Sequence, residues 1–382
     1  MNRISRLIAV LIAIVALVLI AGAFVLNSSL LEISLKDLEA KYQLPDSRWM
    51  DVDGIKVHYL DQSPVGVTDA PVVVLSHASF MSLRSWDSLA AALVTKGYRV
   101  IRMDYMNAGL TGSDTKGIND MERNVTILTE VPAKLGIAHF DLVGTSSGGQ
   151  IAFMFAGRHP DRVGRFVLIN SGGMPRTPQS NPNRARGSWL QQYIGARYHS
   201  RAQWREDLEG NMPSLRPVPK DLVQMVYDMN RREGARPLAG EYLRNFKTGD
   251  TAAFLAAVRA PTMILQGMAN PTLVHTEAEV QSYWMTGAPT LIRKYPKLGH
   301  YPYLESPAEV EADIIAFFDG KYDAALRQTI RAEVPVQTQY VAPGAAPATV
   351  PGAAPTAAAE AGAAAAPESK PSTDVSAVRT AL

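Results

Sequence analysis

Cysteine is absent from all 382 residues. Its absence excludes disulfides, a thiol nucleophile and a Cys-ligated metal, and it fits any redox compartment. Charge of one sign is lacking as well. The 38 Lys and Arg against 36 Asp and Glu leave a formal net charge of +2. No basic field marks a nucleic-acid partner, and the scattered cations read as an ordinary solvated surface. None of the seven histidines forms a pair at metal-ligand spacing, so neither a metal nor any other cofactor is expected.

One long hydrophobic run is present, and it is N-terminal. Leu7 to Leu26 is uncharged and follows Arg3 and Arg6. Twenty helical residues at about 1.5 Å each span about 30 Å, the depth of one hydrocarbon core. Positive charge before the run favours an N-terminus held in the cytoplasm, with the remainder exported. The expectation is a membrane anchor over residues 1–27 and a domain outside the cytoplasm, periplasmic in a bacterium. Ala21-Gly22-Ala23 resembles an A-x-A cleavage site, which leaves a removable signal peptide as the competing reading. At the other end, residues 334–382 collapse into Ala, Pro, Gly, Ser and Thr. Repeated proline forbids a continuous helix and little remains to bury, so this reads as a disordered tail.

Between the ends, apolar strands alternate with helices. Trp49–Val52 and Ile55–Leu60 flank Asp53-Gly54, a hairpin signal. Strands follow at Val72–Leu75, Arg99–Met103, Phe140–Val143, Phe166–Asn170, Met263–Gln266 and Leu291–Tyr295. Helices are predicted over Trp86–Lys96, Ile118–Leu135, Gly148–His159, Glu277–Trp284 and Pro307–Phe318. The pattern predicts an α/β fold: a mostly parallel eight-stranded sheet with helices on both faces and its site beyond the strands' carboxyl ends. Residues 28–171 and 259–333 form the two parts of this core. Residues 172–258 contain no convincing strand. Trp189, Leu190, Tyr193, Tyr198, Trp204, Leu222, Met225, Val226, Tyr227 and Tyr242 recur there at helical spacing. Plain helix core explains such residues, but the insertion follows a strand end, which favours a helical cap over the site.

Chemistry concentrates at Gly144-Thr145-Ser146-Ser147-Gly148, a G-x-S-x-G between the Phe140–Val143 strand and an apolar helix. A sharp strand-to-helix turn strains the central serine and lifts its Oγ above the sheet edge, and flanking glycines leave room for the backbones to close. A serine needs a base set against it. His300 lies in a loop between the last strand and the last helix, at the same sheet edge as Ser146; His275 is its nearest competitor. His58, His139 and His159 read as structural or exposed, and His199 as surface or pocket lining. The developing oxyanion needs two N–H donors. Ser147, directly after the nucleophile, supplies one. The loop Ser76-His77-Ala78-Ser79-Phe80 supplies the second, with Ser79 preferred over Phe80, and His77 orients the loop by hydrogen bonding.

Taken together, LSHAS, RVIRMDYMNAGLTGSD, LVGTSSGG, HPDRVGRFVLINSGG and GHYPYLESPAEVEADIIAFF resemble the α/β-hydrolase superfamily over about Trp49 to Phe318. The likeness points to the cap-bearing branch of simple esterases, haloperoxidase-like proteins and carbon–carbon bond hydrolases. It implies a nucleophile–acid–histidine order, with the acid after the Met263–Gln266 strand. There the family loop G-x-x-D-x reads Gly267-Met268-Ala269-Asn270-Pro271, so Asn270 holds the acid's place. A second departure is Ala78 where the family has glycine. Haloalkane dehalogenases and epoxide hydrolases of this superfamily use an aspartate nucleophile, against which Ser146 argues.

The function expected is a serine hydrolase that cleaves a small ester or related acyl substrate through an acyl-enzyme. Ser146, His300 and Asn270 form its catalytic set. Three accounts of Asn270 remain open: it suffices for an undemanding ester, a carboxylate such as Glu277 or Glu279 serves although a helix surface explains both better, or turnover has been given up. The last makes the chain a non-catalytic binding or scaffold protein.

Overall fold

A computed structural model describes residues 3–174, 194, 197–235, 249–273 and 275–327. Trp189, Leu190, Tyr193 and Tyr242 of the expected cap, and the Ala/Pro-rich tail, lie outside the described residues.

The chain opens with helix α1 (Arg3–Asn27), whose apolar side chains are exposed throughout. By length and composition this helix is able to cross a membrane. A short helix, α2 (Leu35–Tyr42), follows, with Ser34 accepting from the Asp37 amide at its N-cap. The sequence reading passed over it, although Ser34 and Asp37 stand at capping spacing.

The sheet has eight strands in the order β1-β2-β4-β3-β5-β6-β7-β8. These are β1 (Arg48–Val52), β2 (Ile55–Gln62), β3 (Val72–Ser76), β4 (Arg99–Met103), β5 (Phe140–Thr145), β6 (Val163–Ile169), β7 (Thr262–Gly267) and β8 (Thr290–Tyr295). The hairpin β1–β2 and the pair β2–β4 are antiparallel, and every later pair is parallel. Asp53 and Gly54 take the positive φ values, 51° and 90°, that the two-residue turn requires. Strands β3 to β7 are buried along nearly their whole length because helices cover both faces.

Helices α3 (Asp87–Thr95), α4 (Met121–Lys134) and α5 (Ser146–Arg158) fall where the pattern expected them. The largest of the small boundary shifts, at the start of α4, has a local cause. Asp120 caps the helix by accepting from the Arg123 amide, so it begins three residues after Ile118. Within the insertion, α6 (Arg201–Asn211), α7 (Lys220–Met229) and α8 (Thr251–Ala257) are helical, and the described residues add no strand to the sheet. Leu208, Met212, Val218, Val223 and Val226 of this region pack on Ala78 and Met81, in the loop after β3. These described residues of the insertion therefore lie against the loop at the carboxyl edge of the sheet. Beyond β7 come α9 (Glu277–Trp284), α10 (Pro302–Glu305) and α11 (Pro307–Phe318). Buried Trp86 stacks on Tyr303 with ring centroids 4.2 Å apart, joining the start of α3 to the loop that carries His300.

Candidate active site

Ser146 is the first residue of α5 and has φ of 53°, a left-handed conformation that costs a non-glycine residue energy. Its neighbours in the motif are glycine for a steric reason. A Cβ on Gly148 would stand 2.3 Å from the His77 carbonyl oxygen, and one on Gly144 would stand 2.8 Å from Ala152 Cβ. The start of α5 thus presses against the ends of β3 and β5, and Ser146 bridges the tight join. Its carbonyl is held by the Gly172 amide at 2.8 Å, just after β6.

His300 is brought to this elbow from the far end of the sheet. Its Nε2 lies 3.0 Å from Ser146 Oγ, across 154 residues of sequence. Asn170, at the end of β6, holds the histidine loop by donating to the carbonyls of Gly299 (2.9 Å) and His300 (3.0 Å). The Asn211 carbonyl, at the end of α6, accepts from the His300 amide at 2.6 Å. The imidazole is buried, and that burial lowers its pKa to about 4, so it is neutral at physiological pH.

Asn270 lies on the other side of the ring, with its Nδ2 3.0 Å from His300 Nδ1. Its orientation is set by the backbone: Oδ1 accepts from the amides of Thr272 at 2.9 Å and Leu273 at 3.4 Å. Reversing the amide would set its NH₂ against those two N–H groups. Nδ2 therefore donates to His300 Nδ1, which must be the unprotonated nitrogen. The ring proton then sits on Nε2 and is donated to Ser146 Oγ. This is the opposite of the tautomer a general base requires.

The oxyanion loop also departs from expectation. The Ser79 amide donates at 2.7 Å to Ser147 Oγ, which the Ser79 hydroxyl also approaches at 2.7 Å. The expected second donor is thereby already engaged within the protein. Ser147 N–H lies in the first turn of α5, where a helix offers its amides no internal acceptor. Phe80 follows with φ of 65° and its ring 41% exposed. His77 accepts the Tyr105 amide at Nε2 (3.0 Å) and meets the Ala78 carbonyl at Nδ1 (2.8 Å). Both bonds suit a neutral ring, and burial lowers the His77 pKa.

The remaining histidines stand apart. His139 and His275 are exposed, His159 lies against Phe155, and His199 pairs with Asp207 at 2.7 Å. His58 is buried in a chain the sequence did not reveal: Ser47 Oγ at 2.8 Å, His58, then Asp104 Oδ2 at 2.7 Å. Serine, histidine and aspartate in line suggest a second catalytic group, but the other bonds are structural. Ser47 Oγ accepts the Leu44 amide, while Asp104 accepts the amides of Leu83 and Leu110. No described cleft reaches Ser47.

Of the alternative acids, Glu279 pairs with Lys294. Glu277 is not on the helix surface, as the sequence suggested. It is buried beside a narrow crevice bordered by Asn170, Gln266 and Leu273, and burial raises its pKa to about 7. Neither carboxylate bonds His300, whose ring nitrogens meet Asn270 and Ser146. Among the described residues no group of acidic and histidine side chains is arranged to hold a metal.

An open cleft of about 730 Å³ borders the elbow. Ser79 and Ser147 form one end; Met81, Met106, Ile151 and Met229 give it apolar walls, and Asn107, Asn119 and Asn124 a polar one. Ser146 and His300 are not among its walls, so the cleft meets Ser146 by way of Ser147.

The comparisons accord with this architecture. A non-heme haloperoxidase from Rhodococcus erythropolis is 26% identical over 277 residues, 70% of this chain and 97% of the relative. A 2-hydroxy-6-oxononadienedioate/2-hydroxy-6-oxononatrienedioate hydrolase from Burkholderia vietnamiensis is 34% identical over 121 residues, 31% of this chain and 41% of that protein. Among solved structures, an enol-lactonase from Burkholderia xenovorans superposes with a TM-score of 0.59 at 20% identity, covering 71% of this chain and all of the other. Residues 71–307 match the family model described as the alpha/beta hydrolase fold. With more than half its length inside that match, the chain belongs to the α/β-hydrolase family and is an α/β hydrolase.

Proposed function

We propose that this chain is a serine hydrolase of small esters or related acyl substrates, working through an acyl-enzyme whose turnover is damped at Asn270. The observation that carries the reading is the 3.0 Å approach of His300 Nε2 to Ser146 Oγ, on an elbow whose serine has φ of 53°. In the reaction, Ser146 Oγ attacks the acyl carbonyl carbon while its proton passes to His300 Nε2. The carbonyl electrons collect on the oxygen near Ser147 N–H, and the leaving alcohol departs with the proton from Nε2. Water, deprotonated in turn by His300, then releases the acid and restores Ser146. Relatives named as hydrolases and an enol-lactonase of the same fold are in keeping with acyl chemistry.

Asn270 makes the first proton transfer difficult. His300 accepts a proton at Nε2 only after its own moves to Nδ1, and Nδ1–H then faces the Asn270 NH₂. Asparagine for aspartate at a serine protease triad costs about 10⁴ in rate for the same tautomeric reason. The surrounding backbone still suits a carboxylate, because Oδ1 already receives two amides and a second oxygen would accept Nδ1–H. Asn270→Asp is expected to raise kcat on a short-chain aryl ester, by up to about 10⁴. Ser146→Ala is expected to abolish turnover, and undiminished hydrolysis in that variant ends the proposal.

A second reading, a non-catalytic binding protein, draws on the engaged Ser79 amide and the uncharged Asn270. It requires that neither the native chain nor Asn270→Asp hydrolyse any ester and that a fluorophosphonate leave Ser146 unlabelled. The domain arrangement proposed is the α/β core of residues 28–171 and 259–333, capped by 172–258. In the same proposal helix α1 is a membrane anchor, and positive charge at Arg3 and Arg6 before the apolar run supports a core outside the cytoplasm.

A further inference from the structure

The stretch between α1 and the core is bonded into the insertion. Ile33 pairs with Arg232 as a parallel bridge. The Ile33 amide donates to the Arg231 carbonyl at 2.7 Å, and the Glu233 amide returns a bond to the Ile33 carbonyl at 2.9 Å. Side chains complete the clamp. Arg231 Nε donates to the Leu31 carbonyl at 2.7 Å, the Leu35 amide to Glu233 Oε1 at 3.0 Å, and the Gly234 amide to Glu32 Oε2 at 3.2 Å.

The other partner in this clamp is a wall of the cleft. Residues 231–234 lie between Asn230 and Ala235, both of which border it. Five residues, or six Cα-to-Cα steps, separate Asn27, the end of α1, from Ile33, so even fully extended the segment reaches only about 20 Å. Three of them form the 3₁₀ turn Ser29–Leu31, which shortens the reach to about 16 Å. With α1 inserted, the cleft wall is therefore tied within roughly one headgroup layer and about three extended residues of the hydrocarbon edge. Exposed apolar side chains stand on both partners' flanks: Leu30, 70% exposed, and Phe80, 41% exposed, whose carbonyl accepts from Asn230 Nδ2 at 2.9 Å. Met81, Met106 and Met229 line the space behind Phe80 with the flexible, polarisable side chains that accommodate an acyl chain.

We infer that the cleft opens onto the membrane surface and takes its ester from the bilayer: an amphiphile whose acyl chain enters between Phe80 and the methionines while its headgroup stays at the interface. The inference rests on the hydrolase reading for the chemistry and on the clamp for the source of substrate. Holding the site at the interface raises the effective concentration of a bilayer-resident ester over a dissolved one.

The test uses the full chain in phosphatidylcholine vesicles, with p-nitrophenyl palmitate in the bilayer and p-nitrophenyl butyrate in solution. The clamp is weakened by the double substitution Glu32→Ala and Glu233→Ala, which removes two of its side-chain bonds at residues outside the cleft and the proposed catalytic set. Butyrate turnover is expected to persist, which reports an intact fold, while palmitate turnover falls about tenfold or more. A catalysis-independent readout uses the absence of cysteine: a bimane on Phe80→Cys is the sole thiol label, and spin-labelled lipid is expected to quench it. An unchanged palmitate rate in the double variant, or an unquenched bimane, overturns the inference and assigns the substrate to the aqueous phase. Failure of the native chain on both esters together with a quenched label defeats the hydrolase reading instead and leaves the cleft at the membrane.

Discussion

Asn270 differs from aspartate by one group, an NH₂ in place of a carboxylate oxygen, and that group decides the tautomer of His300. Because the Thr272 and Leu273 amides hold Oδ1, the amide has no freedom to present oxygen to the ring. The same environment sets the pH dependence. His300 lies among uncharged neighbours, and burial brings its pKa to about 4. The neutral ring is the reactive form, so activity is expected to rise through about pH 4 and stay level to neutrality. In Asn270→Asp the new carboxylate stabilises imidazolium, which moves the acidic limb to higher pH. A kcat/KM profile of both proteins checks the direction, and an upward limb near pH 6.5 in the native chain contradicts it. Ser146 and His300 were singled out in the sequence by motif and loop position, and Asn270 by the resemblance to a family loop. The engagement of Ser79 N–H by Ser147 Oγ was not, because a side-chain rotamer leaves no trace in sequence pattern.

At the scale of elements, the join of β5 to α5 rests on how closely backbones approach. In Gly148→Ala the new Cβ meets the carbonyl oxygens of His77 at 2.3 Å and Ser76 at 2.4 Å. Neither is the end of a flexible side chain, so relief requires moving β3 away from α5. A loss of about 3 kcal/mol in chemical denaturation is expected. Gly210→Ala, with nothing within 4 Å of its added Cβ, is the control; it should be neutral or gain up to about 1 kcal/mol from helix propensity. Equal destabilisation by both variants would remove the steric account. Strand and helix positions were legible at this scale because each parallel strand carries a short apolar run bounded by turn or helix signals. Helix α2 was passed over because it is short and has one buried residue, Leu38.

For the whole molecule, stability carries a signature of a charge kept from solvent. Glu277 is buried behind the catalytic edge, and its carboxyl is pushed up from 4.5 to about 7. The unfolded carboxyl releases its proton near pH 4.5, while the folded one keeps it until about pH 7. Between those values the unfolded state binds fewer protons, so this group's contribution to stability falls as pH rises. The shift corresponds to about 3 kcal/mol at pH 8. Glu277→Gln is expected to recover part of that at pH 8 and little at pH 4, as read by denaturant unfolding at the two pH values. A gain of equal size at both would trace the effect to packing.

The sequence by itself determined the kinds of element, their order and the residue types of the site, because burial periodicity and turn chemistry are local properties of a chain. It marked Ser146 by its glycines, His300 by the loop after the last strand and Asn270 by its place in a family loop. Tertiary structure decided the rest. The strand order sets β5 between β3 and β6 and carries the loops after β7 and β8 to one edge, so that residues 154 positions apart lie 3.0 Å apart. Only packing turned Glu277 inward, directed the Asn270 NH₂ toward His300 and bonded the segment after α1 to a wall of the cleft. These outcomes depend on which donor meets which acceptor across long separations, and no periodicity along the chain encodes that.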